Sequence, residues 1–326
     1  MVELTQYTND AYWWRAVADS GSMLFKMHDQ HHGNKRWQLK DLMQLEGWKV
    51  AKYIFLFDCE SWDDLSKFND PRVHVFQPGR IDHPRYHFYP FWLEYVQKVE
   101  QVLQLHTRLE DVSNKPYQFD ALLGVPRSCR VWVKNKIDNH PRASEFLLNM
   151  YEQVSNNGPN VANPNTWVQG HDLDQRYNYW IDVPGIDHQY DVCSLLPYRI
   201  YNDCWFSIIS ETHDHSYAPI ITEKTAKCLL GRRLFVHFGN PGLLQHLRNN
   251  GFRTFGDIID ESYDLEPDKI KRLEKAWQQI EWLLAQDPGQ LIQNCKKTFD
   301  HNQEIMLKYD FDKHIINELR QLAQAK

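Results

Sequence analysis

The sequence lacks the features that would indicate a membrane, a secretory route or a structural metal. No apolar run approaches the length of a membrane span, and no signal-peptide core opens the chain. The six cysteines are scattered, and no two of them share a CxxC spacing. Neither a zinc site nor a disulfide framework is therefore indicated, and we expect a protein of a reducing, cytoplasmic compartment.

Strong net charge and repetition are also missing. Lys and Arg number 37 and Asp and Glu 43, so the formal net charge is -6. That balance gives no basic field for general attraction of nucleic acid, although it is compatible with a local basic groove. The chain has no internal repeat and no low-complexity tract. Its 326 residues, 42% of them hydrophobic, suffice for two globular domains.

The most informative stretch is 205–264, which reads as strand, loop, helix, strand, turn and helix. WFSIIS suits a buried strand, and Glu211 follows it. Thr222 is predicted to cap a helix that begins near Lys224, and Glu223 suits the positive end of its dipole. Ligands of open parallel sheets bind at the carboxyl ends of strands, so these polar residues suit a diphosphate and ribose hydroxyls. A capped helix with a solvated Glu-Lys pair explains the same pattern equally well.

The pattern SE…ITEK…LFVHFGNP resembles the donor-binding core of the inverting α-1,3-fucosyltransferases. In that family the first Glu and the Glu-Lys pair of TEK bind the guanine-nucleotide sugar. The resemblance carries these roles onto Glu211, Glu223 and Lys224, with Thr222 beside them. The continuation GFRTFGDIIDESYD lies outside the family pattern and is similar to a segment of proteins from large viruses and tailed phages.

Two arginines stand where VPRSCRVWVKNKID is predicted to enter a helix. An arginine at this point joins the helix dipole and the free N–H groups in binding phosphate. The fucosyltransferases have an arginine at the first strand–helix turn of the donor domain, where it binds the diphosphate. The resemblance therefore implies this role for Arg130, with Arg127 as the alternative. A pair of solvated arginines beside a turn is the structural alternative.

An acidic cluster follows the apolar run from Tyr53 to Phe57, which is fit for a buried parallel strand. An inverting sugar transfer needs a carboxylate that removes the acceptor's proton. In bacterial fucosyltransferases the general-base Glu lies near the end of a strand, and the resemblance favours Glu60, with Asp58 second. Helix capping with solvated acids is the alternative for either residue.

The predicted elements give an α/β fold. Strands are predicted at VHVF and YQFDALLG, and helices at PFWLEYVQKVEQVLQL, at EFLLNMYEQV and in the amphipathic segments after Asp264. The resemblance implies two Rossmann-like domains facing across a cleft, the GT-B arrangement. We predict an N-terminal acceptor-side domain (1–112), a nucleotide-sugar-binding domain (113–290) and C-terminal helices (291–326) for which packing against the first domain is one alternative.

The function implied by the resemblance is transfer of a sugar, with inversion, from a nucleoside diphosphate sugar of the GDP class to a glycan or other hydroxyl acceptor. No metal or cofactor is expected, because two cationic side chains and a helix N-terminus can replace Mg²⁺. Two alternatives stay open. One is a glycosyltransferase acting on modified bases of viral DNA in the host cytoplasm, and the other is a non-catalytic nucleotide-binding or structural protein.

Overall fold

The computed structural model describes residues 20–26, 28–29, 35–36, 43–44, 46–57, 70–79, 82–111, 113–124, 126–150, 195–211 and 219–324. The chain divides into two compact units, one formed by 1–94 with 310–326 and the other by 95–309. The limits of these two units differ from the domain boundaries predicted from the sequence. No helix among the described residues combines the length and the apolar character needed to cross a membrane.

Parallel strands and helices make up most of the described chain. The strands are β1 (Met23–Lys26), β2 (His28–Asp29), β3 (Lys35–Arg36), β4 (Ile54–Phe57), β5 (Val73–Gln77), β6 (Tyr86–Phe88), β7 (Tyr117–Gly124), β8 (Phe146–Met150), β9 (Cys204–Ser210) and β10 (Phe235–Phe238). The α-helices are α1 (Glu46–Val50), α2 (Phe91–Leu103), α3 (Ser128–Asp138), α4 (Tyr198–Asp203), α5 (Glu223–Leu230), α6 (Leu243–Asn249), α7 (Lys269–Leu284), α8 (Pro288–Lys308) and α9 (Phe311–Gln324).

The unit formed by 1–94 and 310–326 contains a parallel sheet with the strand order β1-β4-β5-β6. Every side chain of β4 is buried, which confirms the strand predicted between Tyr53 and Phe57. Helix α9 packs on this sheet, where Ile315 and Leu319 join an aromatic cluster that includes Phe55 and Phe76. The last helix of the chain is therefore part of the hydrophobic core built by the first strands.

A chain of three titratable groups, of which His74 is buried, lies beside that core. His74 Nδ1 lies 2.9 Å from His87 Nε2, and His87 Nδ1 lies 2.8 Å from Glu318 Oε1 on α9. Burial and, to a smaller extent, the nearby charges of His87 and Arg85 lower the pKa of His74 to about 4, although Glu318 acts in the opposite direction. His74 is consequently neutral in the folded protein at pH 7.

We expect this histidine to make the protein acid-sensitive. The ordinary pKa of His74 is 6.5 and its pKa in the fold is about 4, so between these values the unfolded chain holds a proton that the folded chain does not. The contribution of His74 to the free energy of unfolding is therefore highest above pH 6.5. It falls as the pH falls, by about 2 kcal/mol between pH 7 and pH 4.5. Urea unfolding at both pH values should show a smaller difference for His74→Asn than for the unchanged protein. An identical pH dependence in both proteins would exclude this role for His74.

The unit formed by 95–309 contains a second parallel sheet, with the strand order β10-β9-β7-β8. The predicted strands YQFDALLG and WFSIIS are confirmed as β7 and β9, and the predicted helix after Thr222 is confirmed as α5. The chain passes from β7 to β8 on one side and later places β9 on the other side of β7. The order of the strands therefore reverses between β7 and β9, which makes this the topological switch point of the sheet.

One predicted element is wrong. The sequence predicts a helix that begins at Glu145, but Phe146–Met150 is a strand, β8, paired in parallel with β7. A short apolar run fits a buried strand and a buried helix equally well, and pairing with β7 decides between them. With this correction the chain is a mixed α/β protein with two parallel sheets.

A buried ion pair links β7 and β9 to the segment that precedes β10. Arg233 Nη2 donates to Asp120 Oδ2 over 3.0 Å, and Ser207 Oγ donates to the same carboxylate oxygen over 2.7 Å. Arg233 also donates to the carbonyl oxygens of Tyr201 and Cys204. Asp120 and Arg233 are each 3% exposed, so nearly every polar atom of this pair is satisfied by protein rather than by water.

Candidate functional site

The polar residues singled out in the second half of the sequence lie at the carboxyl ends of β7 and β9. Helix α3 follows β7 with Arg127 at its N-cap position, and Glu211 directly follows β9. Thr222 caps α5, and its hydroxyl oxygen accepts a hydrogen bond from the backbone N–H of Lys224 over 3.3 Å. The predicted cap is thus confirmed. These ends belong to neighbouring strands at the switch point, where open parallel sheets bind ligands.

Glu211 is held by two threonines at the start of α5. Thr222 Oγ1 donates to Glu211 Oε2 over 2.6 Å, and Thr225 Oγ1 donates to Oε1 over 2.9 Å. The residue is 4% exposed. Burial raises the pKa of Glu211, and the positive charge of Lys224 opposes that rise. The carboxylate therefore fixes the position of the first turn of α5.

Glu223 and Lys224 form an ion pair at the same helix start. Lys224 Nζ lies 2.6 Å from Glu223 Oε1, and the two side chains are only 18% and 13% exposed. Burial raises the pKa of Glu223, but Lys224 and Lys227 lower it by more, so its pKa lies below the ordinary value. Glu223 is therefore ionised, and the pair is largely excluded from water. The capped helix of the alternative interpretation is present, and its Glu-Lys pair is mostly shielded from water.

The two arginines of the first turn of α3 differ in burial. Arg130 is 4% exposed, whereas Arg127 is exposed. Burial lowers the pKa of Arg130 and the positive charge of Arg127 lowers it further, while Glu211 and Glu223 raise it. Arg130 is thus close enough to interact electrostatically with Glu211 at the end of β9 and with Glu223 at the start of α5. The alternative of a solvated arginine describes Arg127 but not Arg130.

The turn after β10 closes against this site. A Cβ atom added at Gly239 would lie 3.1 Å from Glu211 Cβ and 2.6 Å from His237 Nε2, so a larger residue at this position requires its neighbours to move. His237 is buried, and burial with the charge of Arg272 lowers its pKa to about 3. The imidazole of His237 is therefore neutral. The positive charge of the site comes from the cationic side chains near Glu211.

Cationic side chains and helix starts are gathered at this edge of the sheet. Arg130 and Lys224 are cationic and largely buried, and Arg127 adds an exposed positive charge. The starts of α3 and α5 contribute positive dipole ends to the same region. Two carboxylates, Glu211 and Glu223, lie at the same edge and offset part of this positive charge. The structure thus brings together all six residues predicted for donor binding.

The residues predicted as the general base lie outside the described part of the chain. Glu60 and Asp58 follow β4 within the segment 58–69. The structure describes β4 but not the positions of these two side chains. Among the described residues, no cluster of three or more His, Cys, Asp or Glu side chains is arranged to hold a metal ion. The described site therefore consists of cations, paired carboxylates and helix starts.

Comparison with known proteins identifies no relative of the chain. No family model matches it, no curated protein matches it, and no solved structure matches it. The motif resemblance to α-1,3-fucosyltransferases therefore stays a hypothesis, and the geometry of the site carries the functional argument.

Proposed function

We propose that the protein is a glycosyltransferase that moves a sugar, with inversion, from a nucleoside diphosphate sugar to a hydroxyl acceptor. The observation that supports this most is the placement of Arg130 and the Glu223–Lys224 pair at the switch point of the second sheet. Crevices at such points receive nucleotides in open α/β sheets. A GT-B arrangement of two Rossmann-like domains, a donor of the GDP class and a cytoplasmic location belong to the same proposal.

The leaving group of this reaction is a nucleoside diphosphate. As the bond between the anomeric carbon and the phosphate oxygen breaks, negative charge develops on the diphosphate. Arg130 and Lys224 neutralise that charge, together with the N-termini of α3 and α5, in a region that is largely closed to water. This set of groups performs the task that a divalent cation performs in other transferases, so the reaction requires no added metal.

The acids of the site divide into two roles. Glu223 accepts a hydrogen bond from a ribose or sugar hydroxyl, while Lys224 keeps it ionised. Glu211 positions Thr222 and Thr225, because both of its oxygens accept hydrogen bonds from the hydroxyl groups of these threonines. The acceptor oxygen bonds to the anomeric carbon, and its proton passes to a carboxylate of the acidic cluster after β4, for which Glu60 is our first choice and Asp58 our second.

Nucleotide affinity tests the donor site. We expect Arg130→Ala and Lys224→Ala each to weaken binding of GDP or UDP by about 1.5–3 kcal/mol, which is about 10- to 150-fold, because each loses charge-assisted hydrogen bonds to phosphate. Calorimetric titration measures this directly. Lys134→Ala is the matched control, because Lys134 lies on α3 and pairs with Asp138 at the surface.

The control variant should bind as tightly as the unchanged protein, and urea unfolding should show that all three variants are folded. Unchanged affinity in both Arg130→Ala and Lys224→Ala would remove the donor-site assignment.

A further inference from the structure

The two histidines and the glutamate beside the first sheet form a continuous hydrogen-bonded chain. His74 belongs to β5, His87 to β6 and Glu318 to α9. The nitrogen atoms that join the two imidazoles are 2.9 Å apart, and His87 Nδ1 lies 2.8 Å from Glu318 Oε1. The chain therefore runs from a buried strand, where His74 is 9% exposed, to the last helix, where the side chain of Glu318 is 28% exposed.

Helix α9 covers the face of the sheet on which these imidazoles lie. The ring of Phe55 lies 5.9 Å from that of His74, and the ring of Phe76 stacks on that of His87 at 4.7 Å. Both phenylalanines belong to the cluster that the apolar side chains of α9 complete. Lifting α9 from the sheet would therefore expose both imidazoles to water.

The hydrogen bonds define where the protons of this chain lie. A carboxylate only accepts hydrogen bonds, so Nδ1 of His87 carries a proton and donates it toward Glu318. In the neutral imidazole of His87, Nε2 then carries no proton, and it accepts from the Nδ1–H of His74. When both rings are neutral, the chain thus has one defined arrangement of protons.

The chain can take up one proton without losing a hydrogen bond. That proton binds to Nε2 of His74, the Nδ1 proton of His74 passes to Nε2 of His87, and the resulting imidazolium of His87 faces the carboxylate of Glu318. A second proton would bind to Nδ1 of His74, where it would face the Nε2–H of His87 and place two positive charges side by side. The second proton therefore breaks the hydrogen bond between the two imidazoles.

The groups around His74 also disfavour its protonation. Arg85 adds a positive charge from the start of β6, and the ring of Tyr53 packs edge-on against the imidazole. The charge of Glu318 favours protonation of His74, but the other oxygen of this carboxylate also faces His314 over 3.8 Å. Burial, with smaller contributions from the nearby positive charges, accordingly holds the pKa of His74 at about 4.

We propose that His74, His87 and Glu318 form an acid-sensitive latch that holds α9 on the first sheet and opens when both imidazoles are protonated. Opening of the latch releases α9 and uncovers the aromatic cluster of the sheet, while the second sheet stays folded. All three residues belong to the unit formed by 1–94 and 310–326, and the latch does not depend on the proposed function.

Amide hydrogen exchange at pH 7 and at pH 4.5 tests the latch, with α8 as the internal reference. Opening of α9 should become about 50-fold more favourable at the lower pH, because His74 takes up its proton in the released state and not in the docked state. In His74→Asn, whose amide can still donate to His87 but binds no proton, this change should be less than about fivefold. His314→Asn is the control, because His314 lies on α9 with its side chain 38% exposed, and it should keep the full change.

Glu318→Gln is a second variant, which should weaken the latch at neutral pH. We expect exchange in α9 at pH 7 to become about fivefold faster, because the amide oxygen is a weaker acceptor than the carboxylate for the N–H of His87. Exchange in α8 should stay unchanged in this variant.

Three results would overturn the inference. The first is an equal change in α9 and α8 of the unchanged protein, which would show that acid loosens the whole chain. The second is full protection of α9 at pH 4.5, and the third is the same pH dependence of α9 in His74→Asn as in the unchanged protein. If His74→Asn does not fold, the comparison of α9 with α8 in the unchanged protein and the result for Glu318→Gln at pH 7 decide.

Discussion

Replacement of Asp120 by alanine is expected to lower the free energy of unfolding by about 3–5 kcal/mol, the usual cost of removing one partner of a buried ion pair. Asp120 accepts hydrogen bonds from Arg233 and Ser207, and both charged residues are almost fully buried. Without the carboxylate, the charge of Arg233 remains in a region of low polarity. The cost arises from that uncompensated charge more than from the lost contact itself.

Urea denaturation of Asp120→Ala and of Asp120→Ala with Arg233→Met measures this effect. The double variant should recover part of the loss, because it removes the uncompensated charge as well. Asp138→Ala is the control, since Asp138 pairs with Lys134 at the surface and such pairs contribute at most about 1 kcal/mol. If Asp120→Ala and Asp138→Ala are equally stable, the buried pair does not stabilise the second sheet.

The second large effect concerns turnover. Glu60→Gln is expected to reduce the rate of sugar transfer by about 10²-fold or more, the range typical of losing a general base, and to leave nucleotide affinity unchanged. Inverting transfer leaves one proton for the protein to accept, and the acids of the described donor site are engaged with threonines and lysine. The acidic cluster after β4 therefore supplies the carboxylate in our proposal.

The assay follows release of nucleoside diphosphate from a set of nucleotide sugars in the presence of acceptors and EDTA. Asp58→Asn is the companion variant, and its turnover should fall less than that of Glu60→Gln. Near-normal turnover in both variants would place the base elsewhere in the chain. Nucleotide binding without turnover of any donor would favour the non-catalytic alternative.

The local parts of the fold could be predicted from the sequence. The strands β4, β7 and β9 are short apolar runs with polar ends, and the cap at Thr222 precedes a helix with an acid in its first turn. Each of these features depends on residues close together in the chain. The same kind of pattern failed at β8, because the run FLLNM has no feature that separates a strand from a buried helix.

The contacts that complete the site depend on tertiary packing and were not predictable. Thr225 approaches Glu211 because β9 and α5 meet at the switch point, although its place one turn after the cap was a usable signal. Lys269 reaches Ser128 across 141 residues of sequence, and Arg233 reaches Asp120 across 113. Periodicity and spacing give no information on such pairs, since they arise only when the helices and strands have packed.

Crystals soaked with GDP and with UDP in the presence of EDTA provide the most direct test of the donor site. The account predicts a nucleotide at the carboxyl ends of β7 and β9, with its diphosphate within hydrogen-bond distance of Arg130 and Lys224. A nucleotide bound at another place, or no bound nucleotide at millimolar concentration with the site open to solvent channels of the crystal, would contradict it.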